Sequence, residues 1–372
     1  MLKKLSLAAL IAMGSMSVAS ATPLTDAIKG VNLNGKLRVR FYNYQPDNGA
    51  TYDRWRTNAV FIFSVPASEN ISFVVRNSVQ TQVYTSANDI NVGGTSTNVD
   101  DSIVNNLVFM KYSNGPVNAI LGKIPVATSI TSADFYAPGH GAGAVATYKV
   151  NDNLTVGAAF VDALKNGATL VTAKDIYAAV AVFNADMVSG NAWYYKITNL
   201  SKYIFTASVN VKPADGIAVH ADYATGKDDV TGAKSSNYYN INAKYSSKAF
   251  CVKLGYAHTN DGNSMVSTSN DAPISAIAPV ETRYALTSVP DADMIYAKAA
   301  YNIDAKTNVY IGYATIDQSQ SAGDADSNEY QIGANYAYTK KLGFQLWYDS
   351  IDYDHNAGTD TDIIRFQAQY SF

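Results

Sequence analysis

The sequence predicts an all-β, transmembrane antiparallel β-barrel of about eighteen strands, and three observations carry that reading. Apolar and polar residues alternate with a period of two from Leu33 to the C-terminus. The connections between alternating segments sort into short and long ones. In 372 residues the one candidate run for a spanning helix lies at the N-terminus. Composition agrees, because 16% charged and 12% aromatic residues exclude a disordered chain. The aromatics are 27 Tyr, 13 Phe and 3 Trp. A ring with a wet hydroxyl suits a surface where hydrocarbon meets water.

Residues 1–21 read as a signal peptide: Lys3 and Lys4 are basic, Leu5 to Met16 is apolar but too short to span, and Ala19-Ser20-Ala21 is an A-x-A cleavage site. Cleavage before Thr22 removes two lysines and takes the formal net charge from −3 to −5. An acidic exported chain without a basic stripe is a poor binder of nucleic acid. Thr22 to Gly30 reads equally as a short capped helix or as an extended leader. Residues 22–372 then form one barrel domain.

The first strand shows the rule. In 33–41 the odd positions are apolar or Gly and the even ones are polar, so Leu37, Val39 and Phe41 share one face while Lys36, Arg38 and Arg40 share the other. The last segment repeats it, with Ile364, Phe366, Ala368, Tyr370 and Phe372 on one face. The expected spans are 33–44, 52–65, 71–84, 103–112, 116–122, 143–150, 154–162, 176–184, 191–198, 203–211, 217–224, 236–245, 249–258, 293–303, 308–317, 328–338, 342–352 and 360–372. Every second connection is turn-like, as in Ser113-Asn114-Gly115, Asn151-Asp152-Asn153 and Thr339-Lys340-Lys341. The alternate ones are long and rich in Asp, Asn, Ser, Thr and Gly, with residues 199–202 as the exception. A sandwich has no reason to sort loops by parity, whereas a barrel inserted from the periplasm presents short turns there and long loops outside.

If the apolar face meets lipid, the polar face lines a lumen. On the first three strands that face carries Lys36, Arg38, Arg40, Arg54, Arg56 and Arg76, an expected positive wall of pore-lining residues. A basic wall opposite loop acids sets up a transverse field; the alternative role of the arginines is to tack loops down by ion pairing. The third long connection, 123–142, is the expected inserted constriction loop, because its glycines allow close backbone approach. Asp134 within it is the candidate constriction acid, set against the plainer reading of one more solvated loop carboxylate. Acids crowd the long loops, among them Asp100, Asp101, Asp228, Asp261, Asp271 and Glu329, and a negative mouth predicts weak cation preference.

Motifs for other chemistry are weak. The Asp324-Ala-Asp326-Ser-Asn328 spacing begins like a calcium loop, but Glu329 stands where the turn glycine belongs and Asn335 where the bidentate Glu belongs. Calcium in some other loop geometry stays open, and no metal ligand or cofactor is assigned. His140, His220, His258 and His355 lack zinc spacing, and no nucleophile elbow or phosphate loop is present, so no catalytic residue is assigned and no enzyme is expected. Cys251, alone, reads as a small apolar side chain.

The start Thr22-Pro23-Leu24 with Ala27-Ile28-Lys29, the strand from Leu33 to Phe41 and the terminal Gln369-Tyr370-Ser371-Phe372 resemble the major outer membrane protein porins of Campylobacter and its relatives. Leu121-Gly122-Lys123 before the third loop resembles porins generally. The aromatic C-terminus is similar to the signal read by the outer-membrane assembly machinery. The resemblance implies a homotrimer of water-filled barrels in the bacterial outer membrane, passing small hydrophilic solutes and ions. It also implies an inserted third loop, cation preference and, in some members, a calcium ion whose ligands do not map onto this chain. The competing expectations are a substrate-selective channel that uses the arginines as a track for anionic groups, a surface adhesin or structural protein, and a secreted sandwich.

Overall fold

The computed structural model describes residues 30–86, 99–135, 138–166, 169–171, 174–269, 271–275, 286–319, 326–354 and 359–372. The signal peptide, the 22–29 stretch, Glu281, Asp324 and His355 lie outside the described residues. Among the described residues nineteen strands follow in chain order: β1 (Asn32–Pro46), β2 (Tyr52–Pro66), β3 (Ile71–Ser86), β4 (Val99–Asn114), β5 (Val117–Pro125), β6 (His140–Lys149), β7 (Leu154–Asn166), β8 (Thr169–Val171), β9 (Ile176–Asn184), β10 (Val188–Ile197), β11 (Ser201–Ala214), β12 (Ile217–Asp228), β13 (Ser236–Ser246), β14 (Phe250–Thr259), β15 (Ala292–Asn302), β16 (Thr307–Gln318), β17 (Ser327–Ala337), β18 (Leu342–Tyr353) and β19 (Thr361–Ser371). The eighteen segments expected from alternation are β1–β7 and β9–β19. The short β8 pairs only with the end of β7 and stands outside the wall.

Each wall strand pairs antiparallel with its chain neighbours, and β1 pairs with β19 from Lys36↔Ser371 to Pro46↔Thr361, which closes the barrel. Closure satisfies the backbone of what would otherwise be two open edges, the condition for a sheet to exist in hydrocarbon. The alternation resolves as the pattern requires: Leu37 and Val39 are 42% and 37% exposed on the outside, and Arg38 and Arg40 are 5% and 9% exposed within. Outward aliphatics such as Ile241, Leu254, Ile311, Ile332 and Leu346 form the middle of the belt. Aromatics flank it on both sides. Phe41–Trp55, Phe160–Tyr177, Tyr239–Tyr256 and Tyr313–Tyr330 lie toward the long loops, and Tyr245–Phe250, Tyr338–Phe344 and Phe61–Phe372 toward the short turns. Tyrosines thus take part in two interfacial girdles, while Tyr42, Tyr195, Tyr238, Tyr296 and Tyr310 turn inward and are buried.

Several expectations shift. Residues 198–200 are a genuine tight turn on the long-loop side, with Asn199 at φ 55° and the Leu200 N–H bonded to the Ile197 carbonyl at 3.2 Å, so the strands on either side of the apparent exception stand. The third loop is shorter than 123–142, because pairing of β5 with β6 runs from Val117↔Tyr148 to Pro125↔His140 and leaves 126–139 as the loop. Gly141 and Gly143 thus serve β6: a Cβ at either would lie 2.1 Å from a carbonyl oxygen of β7, at the bulge between those strands. Glu329 belongs to β17, not to a loop, and its parity turns it into the interior at 4% exposure.

Candidate functional site: a basic wall facing two inserted loops

The even positions of β1 and β2 and their partners on β3 and β19 turn inward, so the closed register brings the sequence-distant arginines onto one surface. Arg38 donates to Asn58 Oδ1 at 3.2 Å, and Arg56 donates to Gln80 Oε1 at 2.9 and 2.6 Å, an oxygen that also accepts from Asn58 at 3.0 Å. Arg40 donates to Gln367 Oε1 at 2.7 Å and to the Tyr42 hydroxyl at 3.1 Å. Arg54 lies 5.8 Å from the Tyr42 ring centroid, toward the long-loop end. These contacts hold the guanidinium planes in set directions along the wall.

Barrel closure adds Arg365 on β19, a residue outside the six expected for the wall. It donates to Gln345 and Gln367 at 3.0 and 3.3 Å and sits between the rings of Trp347 (4.7 Å) and Tyr42 (5.6 Å). The signal was available in its even-odd position and in the pairing of first with last strand.

Opposite the wall, the third loop folds into the barrel. Its stem is closed by Val126 N–H to the Gly139 carbonyl and Gly139 N–H to the Ser132 carbonyl, each at 2.8 Å. The buried Ser129 hydroxyl meets Tyr195 OH at 2.9 Å and Thr206 Oγ1 at 2.5 Å, which fastens the loop to β10 and β11. At the tip, the Phe135 ring lies 4.7 Å from Arg38 and 5.2 Å from the Lys36 ammonium, and Arg76 donates to the Phe135 carbonyl at 2.5 Å. Asp134, half-buried, is close enough to Arg38 to attract its guanidinium, and its own N–H donates to Ser132 Oγ at 3.1 Å. The loop tip and the basic wall therefore meet, with Lys36, Arg38 and Arg76 all against Phe135, and Arg40, Arg54 and Arg56 belong to the same wall.

A second inserted segment was not legible in the sequence. The described parts of the connection between β14 and β15 place Val266, Ala272, Ile274 and Leu286 in one buried cluster with Ile130, Tyr195, Ile204, Tyr238 and Met294. This seventh loop grips the third: Thr268 donates through N–H and hydroxyl to the Ile130 carbonyl at 2.9 and 2.6 Å, Ile274 N–H to the Ser129 carbonyl at 3.0 Å, and Ala133 N–H to the Asp271 carbonyl at 3.1 Å. Outside, it is tied to the loop between β12 and β13 by Lys234–Asp261 at 2.8 Å, a contact that holds the Asp261 carboxyl below its ordinary value. Asp228 accepts from Met265 N–H and Asp326 from Gln318 N–H, so several mouth acids also close loops. Among the described residues no three His, Cys, Asp or Glu side chains gather as a metal set.

The family model for the Campylobacter major outer membrane protein matches residues 1–372, the whole chain. No curated relative matches the sequence. Among solved structures, the barrel resembles Acinetobacter baumannii OccAB1 with TM-score 0.73 at 13% identity, over 96% of this chain and 99% of that one. Pseudomonas aeruginosa OccK5 (OpdH) gives 0.72 at 13% identity over 92% and 98%, and Pseudomonas aeruginosa OpdK solved with vanillate gives 0.72 at 12% over 92% and 99%. At such identities these likenesses establish the fold.

Proposed function

The chain belongs to the Campylobacter major outer membrane protein family, a premise from which we propose that it is a water-filled porin for passive diffusion of small hydrophilic solutes and ions. It is a protein of the bacterial outer membrane, and family and fold both point to a channel that carries out no chemistry. The observation that carries the reading is the polar interior surface that the basic wall and the third loop together present, inside a barrel whose outside is apolar. A fixed array of dipoles and charges along such a passage lowers the cost of moving hydrated solutes through hydrocarbon. Weak cation preference rests on the acids of the long loops, which raise the local cation concentration at the mouth. Single-channel recording in a bilayer tests both parts: stepwise ohmic openings are expected, with a reversal potential in a salt gradient on the cation side. Absence of any open current would instead favour an adhesin or structural role.

A second reading, a channel selective for anionic solutes, is supported by the ordered guanidiniums at the loop tip; conductance that saturates with one organic anion would favour it. Association as a homotrimer and recognition of the aromatic C-terminus by the assembly machinery are carried over from the family resemblance. Mass measurement of the protein in mild detergent tests the trimer. Calcium stays a proposal without assigned ligands, and its test is a change in thermal stability on chelation.

A further inference from the structure

A different wall of the barrel carries lysines in a row. Lys244 on β13 pairs with Lys253 on β14, and Lys253 pairs with Lys298 on β15, all three on the inward-facing parity of their strands. Lys253 stands three residues beyond Phe250, about 10 Å from the short-turn end, so the row lies in the periplasmic half of the lumen. Like charges directly opposite on adjacent strands are destabilising. Lys253 is near enough to both neighbours to be repelled by them, with Asp222 of β12 as an attracting carboxylate.

The row is held in place. Tyr296 lies over Gly255, where a Cβ would fall 2.1 Å from the ring, and its hydroxyl donates to Asn240 Oδ1 at 2.7 Å. Tyr310 covers Gly333 in the same manner at 2.4 Å. Lys253 sits 5.2 Å from the Tyr296 centroid and Lys298 sits 4.0 Å from that of Tyr310. Two fixed rings therefore hold two flexible ammonium groups beside each other, an arrangement that costs side-chain entropy and charge repulsion. Asp222 is already engaged by Ser208, His220 and Asn240 at 2.6, 2.7 and 3.0 Å, and Asp304 on the nearby turn accepts from the Lys306 and Thr307 N–H groups.

We propose that Lys253 and Lys298, with Lys244 beside them, form a binding subsite for a doubly charged oxyanion group, as in phosphate or a dicarboxylate, on the periplasmic half of the lumen wall. Such a group offers several acceptor oxygens to ammonium donors on neighbouring strands and relieves their repulsion. The proposal rests on the lumen being open to solute, so its test reads binding apart from conduction.

Inorganic phosphate is titrated into the detergent-solubilised protein and the excess 31P line width is measured. Saturable broadening is expected, falling at least threefold in Lys253→Gln/Lys298→Gln and in part in Lys253→Gln alone, while Lys248→Gln in the adjacent turn leaves it unchanged. Heat-modifiable electrophoretic mobility verifies that each variant is folded; if the double variant does not fold, the single variant decides. Broadening absent from the wild type, or equal in the lysine variants, overturns the subsite. Phosphate binding in a protein that shows no open current sinks the porin reading and leaves the subsite standing, and open current without phosphate binding does the reverse.

Discussion

At the scale of the residue, the functional surface is a matter of which side chains are kept in register by neutral neighbours. Asn58, Gln80, Gln345 and Gln367 each accept from an arginine of the wall, so the amides orient positive charge without cancelling it. Replacing Arg38 and Arg40 together by Gln removes two positive charges from the path and lowers the barrier to cations. The reversal potential in a salt gradient should move further to the cation side, and an unchanged value would take the wall out of the ion path. Ser129 is the matching test for the loop. Its hydroxyl sits among Tyr195 and Thr206 in a buried site, and Ser129→Ala leaves their polar atoms to find other partners, a cost of about 1–3 kcal/mol. A lowered denaturant midpoint with noisier open current is expected. The six basic residues and Asp134 could be named from parity and loop position alone. Phe135 as the contact for three of the cations could not, because it depends on which distant segments face each other.

At the scale of the element, strands were readable because alternation is local and each strand carries it whole. Even the turn at Asn199, too short to match the other long loops, lies between two readable strands. The third and seventh loops were harder for a physical reason. A polar loop in solvent and a polar loop in an aqueous lumen draw on the same residue types, and the deciding contacts are carbonyl groups that every sequence possesses. The Ile130 carbonyl accepts from Thr268, and the Ser129 carbonyl from Ile274, pairings with no residue signature. The buried Val266, Ala272, Ile274 and Leu286 were the available hint, an apolar set within a loop otherwise rich in Ser, Asn and Asp. Exchanging residues 263–275 for a short Gly-Ser linker should raise single-channel conductance and loosen the third loop. Equal conductance would mean that the seventh loop stands clear of the passage.

At the scale of the whole molecule, the barrel stands or falls with its seam. The last residue takes part: Gly35 and Phe372 exchange backbone hydrogen bonds at 3.1 and 3.2 Å, and the Phe372 ring packs 6.0 Å from Phe61 on the outer wall. Deleting Phe372 should weaken closure of β1 on β19 and lower the temperature at which the folded form loses its heat-modifiable mobility; an unaltered temperature would place the seam's strength elsewhere. The sequence by itself determined the strand inventory, the outward oil-facing set and the sorting of short turns to one end of the barrel and longer loops to the other, since each follows from a period of two and from loop lengths along the chain. The tertiary structure alone decided where the basic wall meets the Phe135 tip, that a second loop enters the lumen, and that three lysines on neighbouring strands line up. Those depend on closure and on the depth to which loops fold inward, which arise from backbone pairing between segments far apart in the chain.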